Sequence, residues 1–264
     1  MYEMSFELID THAHPCDPSF DQDRQSVIDR ARQAGVAGII CMSETLADAR
    51  RNLVLAETYP EIYPAAGLYP THLDLGQAQE MREFIRENRR RLSAIGEVGL
   101  DFWAVKDDAD KAIQKEIFAG FIDLSLELDI ALNVHSRSAG HHAVSMLLEK
   151  GAKKVQLHAF DGKAGAALPA VEAGYYFSIP PSVVRSRQKQ KLVKSLPLSC
   201  LLAETDSPVL GPNASERNEP KNILYAVNMI AELKNVRAEA VVESLAENTQ
   251  KLYNLSRIYM DSFL

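Results

Sequence analysis

Eight short apolar segments recur along the chain, and each is followed by a stretch whose apolar residues have helical spacing. The predicted strands span residues 6–10, 36–42, 63–67, 92–98, 131–135, 155–158, 175–179 and 201–205. The predicted helices span residues 24–33, 46–58, 78–89, 111–128, 139–149, 164–173, 186–196, 222–233 and 238–252. Short strands rich in Val, Ile, Leu and Ala that alternate with helices indicate an α/β fold with a parallel sheet.

A parallel sheet of eight strands can close into a barrel or remain open and doubly wound. An open sheet usually carries a glycine-rich nucleotide turn, and the sequence contains no GxGxxG or GxxxxGKS/T pattern. The length of 264 residues fits one barrel, which needs roughly 250. No Pro-, Gly- or Ser-rich linker interrupts the alternation. We therefore predict a single (β/α)₈ TIM-barrel domain over residues 1–264.

Composition excludes several classes of protein. With 46% hydrophobic and 25% charged residues, the chain has the composition of globular proteins rather than of disordered or fibrous ones. It shows no basic leader followed by an apolar stretch and no run of about 18 apolar residues, so no association with a membrane is expected. Its cysteines match neither a disulfide framework nor a CxxC metal site, because there are only three, widely spaced: Cys16, Cys41 and Cys200. We therefore expect a cytoplasmic protein.

The chain is acidic, with 29 Lys and Arg against 36 Asp and Glu and a formal net charge of −7. The molecule as a whole therefore does not attract the phosphates of a nucleic acid. Bound divalent cations would provide positive charge locally, so the acidic balance is compatible with a phosphodiester substrate.

Six side chains that can bind metals come at the ends of predicted strands: His12, His14, Glu97, His135, His158 and Asp206. Because side chains alternate along an extended chain, the imidazoles of His12 and His14 point to the same side. A single histidine or carboxylate at a strand end would more often be structural. In a barrel, however, all six positions converge on the mouth that carries the active site. Their placement favours a closed barrel with a metal centre.

These donors exceed the four ligands of one tetrahedral ion, so we predict one or two divalent ions, with Glu97 bridging them if there are two. The donor types suit Zn²⁺, Mn²⁺, Fe or Co²⁺. A divalent ion lowers the pKa of bound water from about 15.7 to about 7, so a nearby carboxylate suffices to accept its proton. Asp206 is the predicted catalytic acid–base residue. Glu204 points the same way and is predicted to assist by orienting a ligand or the water.

The predicted ligands belong to longer motifs: DTHAH at residues 10–14, GEVGLD at 96–101, HSR at 135–137, HAF at 158–160, ETDSP at 204–208 and RNEP at 217–220. In content and order this set resembles the TatD family of metal-dependent DNases, a branch of the amidohydrolase-like barrels, over nearly the whole chain. The resemblance implies metal ligands at the same six positions and hydrolysis of DNA as a 3′ to 5′ exonuclease. It also makes Mg²⁺ a candidate metal beside Zn²⁺ and Mn²⁺. DNA is therefore the expected substrate, and no protein partner is predicted.

Two positions depart from the family pattern. The family usually has Gly-x-His-Pro-His after the third strand, whereas this chain has Tyr69 and Thr71 at the two histidine positions. It also has Asp161 where the family usually has serine after the sixth strand. Both changes favour an alternative function, a small-molecule amidohydrolase or lactonase that uses the same metal site. A non-catalytic scaffold is a third possibility, which the complete ligand set argues against.

Arg137 is the predicted substrate-binding residue, because its planar guanidinium stands two residues after a predicted ligand and suits phosphate oxygens. A salt bridge to a loop acid is the alternative. For the cations after the seventh strand, a solvated helix face is favoured over guidance of a DNA backbone: Arg185, Arg187, Lys189, Lys191 and Lys194. No function is predicted for a cationic run on the opposite face: Arg86, Arg89, Arg90 and Arg91. Surface positions are expected for the other histidines: His72, His141 and His142.

Overall fold

The computed structural model of the protein describes residues 8–255. Eight parallel strands follow one another around a single sheet in chain order. They are β1 (Leu8–Ala13), β2 (Val36–Cys41), β3 (Ile62–Ala66), β4 (Ala94–Gly99), β5 (Ala131–His135), β6 (Val155–Leu157), β7 (Tyr176–Ile179) and β8 (Leu201–Ala203). The first two residues of the predicted strand 6–10 lie outside the described residues.

Nine α-helices cover the outside of this sheet in the part of the chain that is described. They are α1 (Arg24–Gln33), α2 (Leu46–Thr58), α3 (Leu75–Glu87), α4 (Asp108–Leu128), α5 (Gly140–Glu149), α6 (Ala164–Glu172), α7 (Arg187–Ser195), α8 (Ile223–Lys234) and α9 (Ala238–Tyr253). Within residues 8–255, none of these helices is both long and apolar enough to cross a bilayer.

Backbone hydrogen bonds join the first strand to the segment that follows the last. The Asp206 N–H donates to the His12 carbonyl and the His14 N–H donates to the Ser207 carbonyl, both at 2.8 Å. The eight strands therefore form a nearly closed barrel, which confirms the predicted (β/α)₈ fold and excludes the open sheet. Pairing with β2 continues to Ala13, opposite Cys41, so β1 ends three residues beyond its predicted end.

Helix starts depend on capping residues as well as on apolar spacing. The Asp74 carboxylate accepts from the backbone N–H groups of Gly76 and Gln77, at 2.8 and 3.0 Å. Asp107 likewise accepts from the N–H of Ala109 at 2.8 Å. Each cap satisfies N–H groups that have no partner within the helix. As a result α3 and α4 begin three residues before their predicted starts at 78 and 111.

The barrel interior is polar in the layer below the mouth, whereas the apolar core lies between the strands and the helices. Asp10 accepts from the Thr205 N–H at 2.8 Å, and burial raises the pKa of Asp10 to about 7. The Gln156 amide donates to the Ser178 hydroxyl at 2.8 Å. Buried polar groups that are hydrogen-bonded in this way hold one arrangement of the strands and form a rigid floor for the mouth.

Candidate metal centre

The structure brings all six predicted donors together at the carboxyl ends of the strands. Each of these residues is at most 7% exposed: His12, His14, Glu97, His135, His158 and Asp206. They come from β1, β4 and β5 and from the segments that follow β1, β6 and β8. The Nε2 atoms of His12 and His14 are 3.2 Å apart, as the alternation of side chains predicts. Gly99 allows β4 to lie close to β5. With any other residue at its φ of +146°, a Cβ would lie 2.1 Å from the His135 carbonyl oxygen.

Glu97 stands between two pairs of histidines. Its Oε2 is 3.7 Å from His12 Nε2 and 3.6 Å from His14 Nε2. Its Oε1 is 2.5 Å from His135 Nδ1 and 2.9 Å from His158 Nε2. The two oxygens of one carboxylate thus face different donor pairs.

Hydrogen bonds on the outer side determine which nitrogen of His12 faces the cluster. The Asn133 amide nitrogen donates to the Thr11 carbonyl at 3.1 Å and to the Tyr253 hydroxyl at 3.0 Å, so its oxygen faces His12 Nδ1 at 2.8 Å. That oxygen can only accept, so Nδ1 carries the proton. The lone pair of neutral His12 therefore lies on Nε2, toward His14, Glu97 and Asp206.

Asp101 orients His135 in the same way. Its Oδ2 is 3.2 Å from His135 Nε2, while its Oδ1 accepts from the backbone N–H groups of Trp103 and Ala104. Because the carboxylate accepts, Nε2 carries the proton and Nδ1 directs its lone pair at Glu97 and His158. Lone pairs therefore converge from both sides of Glu97, and only positive charge satisfies such an arrangement.

The pKa values of two histidines in the cluster show the same demand for positive charge. Burial lowers the pKa of His14, but hydrogen bonding to Asp206 and the charge of Glu97 outweigh it and raise this pKa to about 10. Burial also lowers the pKa of His135, but the Glu97 and Asp101 carboxylates outweigh it and raise this pKa to about 9. Burial and the neighbouring His12 lower the pKa of His158 to about 4.

Three overlapping groups of donors can hold an ion: His12, His14 and Glu97; Glu97, His135 and His158; and His12, His158 and Glu204. The donor set fits divalent metal.

Asp206 lies beside His12 and His14, whereas Glu204 lies next to His158. Asp206 Oδ1 is 3.5 Å from Nε2 of both His12 and His14. When these histidines are protonated, their hydrogen bonds to Asp206 outweigh burial and hold its pKa well below its usual range. Glu204 is fully buried behind His158, with Oε2 3.7 Å from His158 Nδ1. Its oxygens accept from the Ala159 N–H at 2.8 Å and the Ser178 hydroxyl at 2.5 Å. Burial raises the pKa of Glu204 to about 7.

A cavity of about 240 Å³ opens above the cluster, lined by His14, Glu97, His135, His158 and Asp206 together with Asp17, Glu44, Asp48 and Tyr69. Among residues 8–255, no Lys or Arg side chain lines this cavity. Positive charge inside it therefore comes from protonated histidines or from bound cations.

The two departures from the family pattern differ in their contacts. Tyr69 lies over the metal cluster, with its ring 5.0 Å from that of His135 and its hydroxyl donating to Asp101 at 3.4 Å. It thus supports the residue that orients His135, whereas Thr71 is exposed and does not line the cavity. The Asp161 carboxylate accepts from the Ser138 N–H at 2.8 Å, which connects the segments after β5 and β6.

The predicted cations also differ among themselves. The Lys189 ammonium donates to the Ala159 carbonyl at 2.8 Å, so Lys189 is not part of a fully solvated helix face as expected. It turns inward to the segment beside Glu204. On the opposite face, Arg91 donates to Glu57 at 2.6 Å and Arg89 to the Leu128 carbonyl at 3.0 Å. These arginines border a cavity of about 360 Å³ far from the cluster.

Several contacting residues were missed by sequence reasoning, although part of the signal is present. Asn133 stands two residues before His135 in β5, so alternation places both side chains inside the barrel. Asp101 ends the GEVGLD motif, four residues after Glu97. Nothing in the sequence predicts which of the two nitrogens of His12 or His135 each residue contacts.

A family model described as TatD related DNase matches residues 9–254. The chain belongs to the TatD DNase family. It is 40% identical over 258 residues to the human protein named Deoxyribonuclease TATDN3, covering 93% of this chain and 94% of the human one. It is 33% identical to the Bacillus subtilis protein named Uncharacterized metal-dependent hydrolase YabD, covering 94% of this chain and all of the relative.

Solved structures of the TatD family have the same fold. The crystal structure of YJJV, a TatD homologue from Escherichia coli K12, superposes with a TM-score of 0.87 at 28% identity, covering 94% of this chain and 98% of that one. The predicted family, barrel fold and enzyme class, a metal-dependent hydrolase of the deoxyribonuclease type, are thereby confirmed.

Proposed function

We propose that this TatD-family enzyme hydrolyses phosphodiester bonds of DNA from the 3′ end, with one or two divalent ions. The proposed ligands are His12, His14, Glu97, His135, His158 and Asp206. The observation that carries the proposal is the two-sided position of Glu97, whose Oε2 and Oε1 face separate histidine pairs within 3.7 Å. This arrangement suits two ions that share one carboxylate.

When bound, divalent cations supply Lewis acidity toward a phosphoryl oxygen and acidify water. The chain's own residues then have separate tasks. Asp206, at 3.5 Å from two ligands, is placed to accept the proton of the attacking water. Glu204 acts as a positioning residue, because it holds the Ala159 N–H and faces His158 from behind. Asn133 and Asp101 hold His12 and His135 in the tautomers that ligation requires.

DNA is favoured as substrate by the human relative, which is named a deoxyribonuclease. The acidic lining of the cavity is compatible with a polyanion only when cations neutralise it. Arg137 is the proposed phosphate contact. Reloading the protein with Mg²⁺, Zn²⁺ or Mn²⁺ separately determines which ion supports activity. A single domain over residues 1–264 and a cytoplasmic location stay predictions; the latter is supported by three buried free cysteines: Cys16, Cys41 and Cys200.

The proposal is tested with single-stranded oligonucleotides labelled at the 5′ end. Protein reloaded separately with Mg²⁺, Mn²⁺ or Zn²⁺ is expected to shorten them progressively, and a chelator is expected to stop the reaction. The His12→Ala/His14→Ala double variant serves as the control and should show neither activity nor full metal content by elemental analysis. Turnover of an amide or lactone without any shortening of DNA would replace the proposed function by amidohydrolysis.

A further inference from the structure

Trp103 is an exposed aromatic side chain beside the metal centre. Its side chain is 56% exposed, and it is the only tryptophan of the chain. The Trp103 N–H donates to Asp101 Oδ1 at 2.9 Å, and the other oxygen of the same carboxylate is 3.2 Å from His135 Nε2. One carboxylate thus links the backbone that carries the indole to a proposed metal ligand.

The Arg137 guanidinium lies against this indole. Its central carbon is 3.7 Å from the ring centroid, a close cation–π contact. The Phe102 N–H donates to the Arg137 carbonyl at 3.0 Å, which holds the segments after β4 and β5 side by side. Across residues 8–255 the guanidinium forms no ion pair with a carboxylate. The alternative of a salt bridge to a loop acid is therefore not realised, and the guanidinium N–H groups remain available to a ligand.

The exposure of Trp103 leaves one surface for a planar group. The guanidinium covers one face of the indole, yet more than half of the side chain remains exposed, so the opposite face is accessible. An aromatic face beside a cation with free donors is the combination with which proteins bind single-stranded nucleic acids, through base stacking and phosphate contacts. Paired bases inside a duplex do not offer such a face.

We propose that Trp103 and Arg137 form a nucleobase-stacking subsite at the rim of the metal centre. A base of single-stranded DNA stacks on the open face of the indole, and the guanidinium binds the adjoining phosphate. This inference rests on the proposed function and deepens it. It makes unpaired strands and frayed ends the preferred substrates, because only there is a base free to stack.

Intrinsic fluorescence tests the subsite without relying on turnover, because all tryptophan emission comes from Trp103. Metal-loaded protein is titrated with a four-nucleotide oligothymidylate whose phosphorothioate linkages resist hydrolysis. A base-free strand of the same length and linkage is the control ligand. We expect saturable quenching by the oligothymidylate and none by the base-free strand. If the anisotropy of a labelled strand shows that binding is saturated while Trp103 emission is unchanged, the proposal is overturned.

Kinetics of Trp103→Ala and Trp103→Phe provide a second readout. Loss of one stacked base is expected to raise KM for single-stranded DNA by about 5- to 150-fold, while Trp103→Phe retains most of the affinity. On a base-free strand with ordinary phosphodiester linkages, the KM of Trp103→Ala should change far less than on single-stranded DNA. Val54→Ala, which alters a side chain of α2 that is 59% exposed, is the matched control. An equal loss on both strands would show that Trp103 only supports Asp101, and would overturn the subsite.

The two proposals fail in distinguishable ways. If the oligothymidylate quenches the emission but no DNA is hydrolysed, the subsite is supported and the proposed nuclease function is contradicted. Hydrolysis of DNA with no quenching and with normal kinetics of Trp103→Ala would do the reverse.

Discussion

The orientation of each histidine in this site depends on residues on the side away from the metal centre as much as on the other donors. Asn133 can present only an acceptor to His12, since both of its amide hydrogens are donated elsewhere. We expect Asn133→Leu to weaken metal affinity by about 10- to 100-fold, because His12 loses the bond that fixes its tautomer. Competition with a chelating dye measures this. Tyr253→Phe removes the hydroxyl that accepts from Asn133 and donates to Gln156 but leaves the Asn133 amide bonded to the Thr11 carbonyl, so it should bind metal almost normally. Equal losses in both variants would contradict the tautomer argument.

Asp206 allows a sharper substitution. Its φ of 54° lies in the left-handed region, which asparagine tolerates well, so Asp206→Asn should fold. Loss of the proton acceptor is expected to reduce the rate by about 10²–10⁴-fold, whereas substrate phosphate should bind as well or better beside the less negative site. Rate, melting temperature and metal content should be measured on one preparation. Full activity with full metal would remove Asp206 from the mechanism, and loss of metal would make it only a ligand.

The element that carries Asp206 is the segment after β8, and a buried asparagine holds it in place. Asn218 is 1% exposed and donates to the carbonyls of Thr205 and Val209, at 2.8 and 2.7 Å. Asn218→Ala leaves both carbonyls without this donor, so the free energy of unfolding should fall by about 2 kcal/mol and activity should fall with it. Urea denaturation tests this against Asn213→Ala, whose exposed side chain bonds to its chain neighbours Ser215 and Glu216. Equal stability of both variants would refute the role of Asn218.

At the scale of the whole molecule, the metal centre connects five strand ends of the barrel, so metal should stabilise the entire fold. Metal at a hundred times its Kd is expected to add about 2.7 kcal/mol, which raises Tm by about 5–11 °C for a chain of this size. Differential scanning fluorimetry with and without chelator measures the shift. The His12→Ala/His14→Ala variant should lose most of it; an unchanged shift there would place the metal elsewhere.

The order of the strands and helices, the bounds of α1 and α2 and the set of six donors follow from the sequence alone, because periodicity and strand ends are local properties of the chain. Tertiary structure decided what depends on closure of the barrel. His12 and Asn133 are 121 residues apart, so only the closed barrel determines the tautomer of His12. Glu97 faces both histidine pairs for the same reason. Trp103 and Arg137 come from different loops, and their stacking depends on the contact between those loops rather than on either sequence.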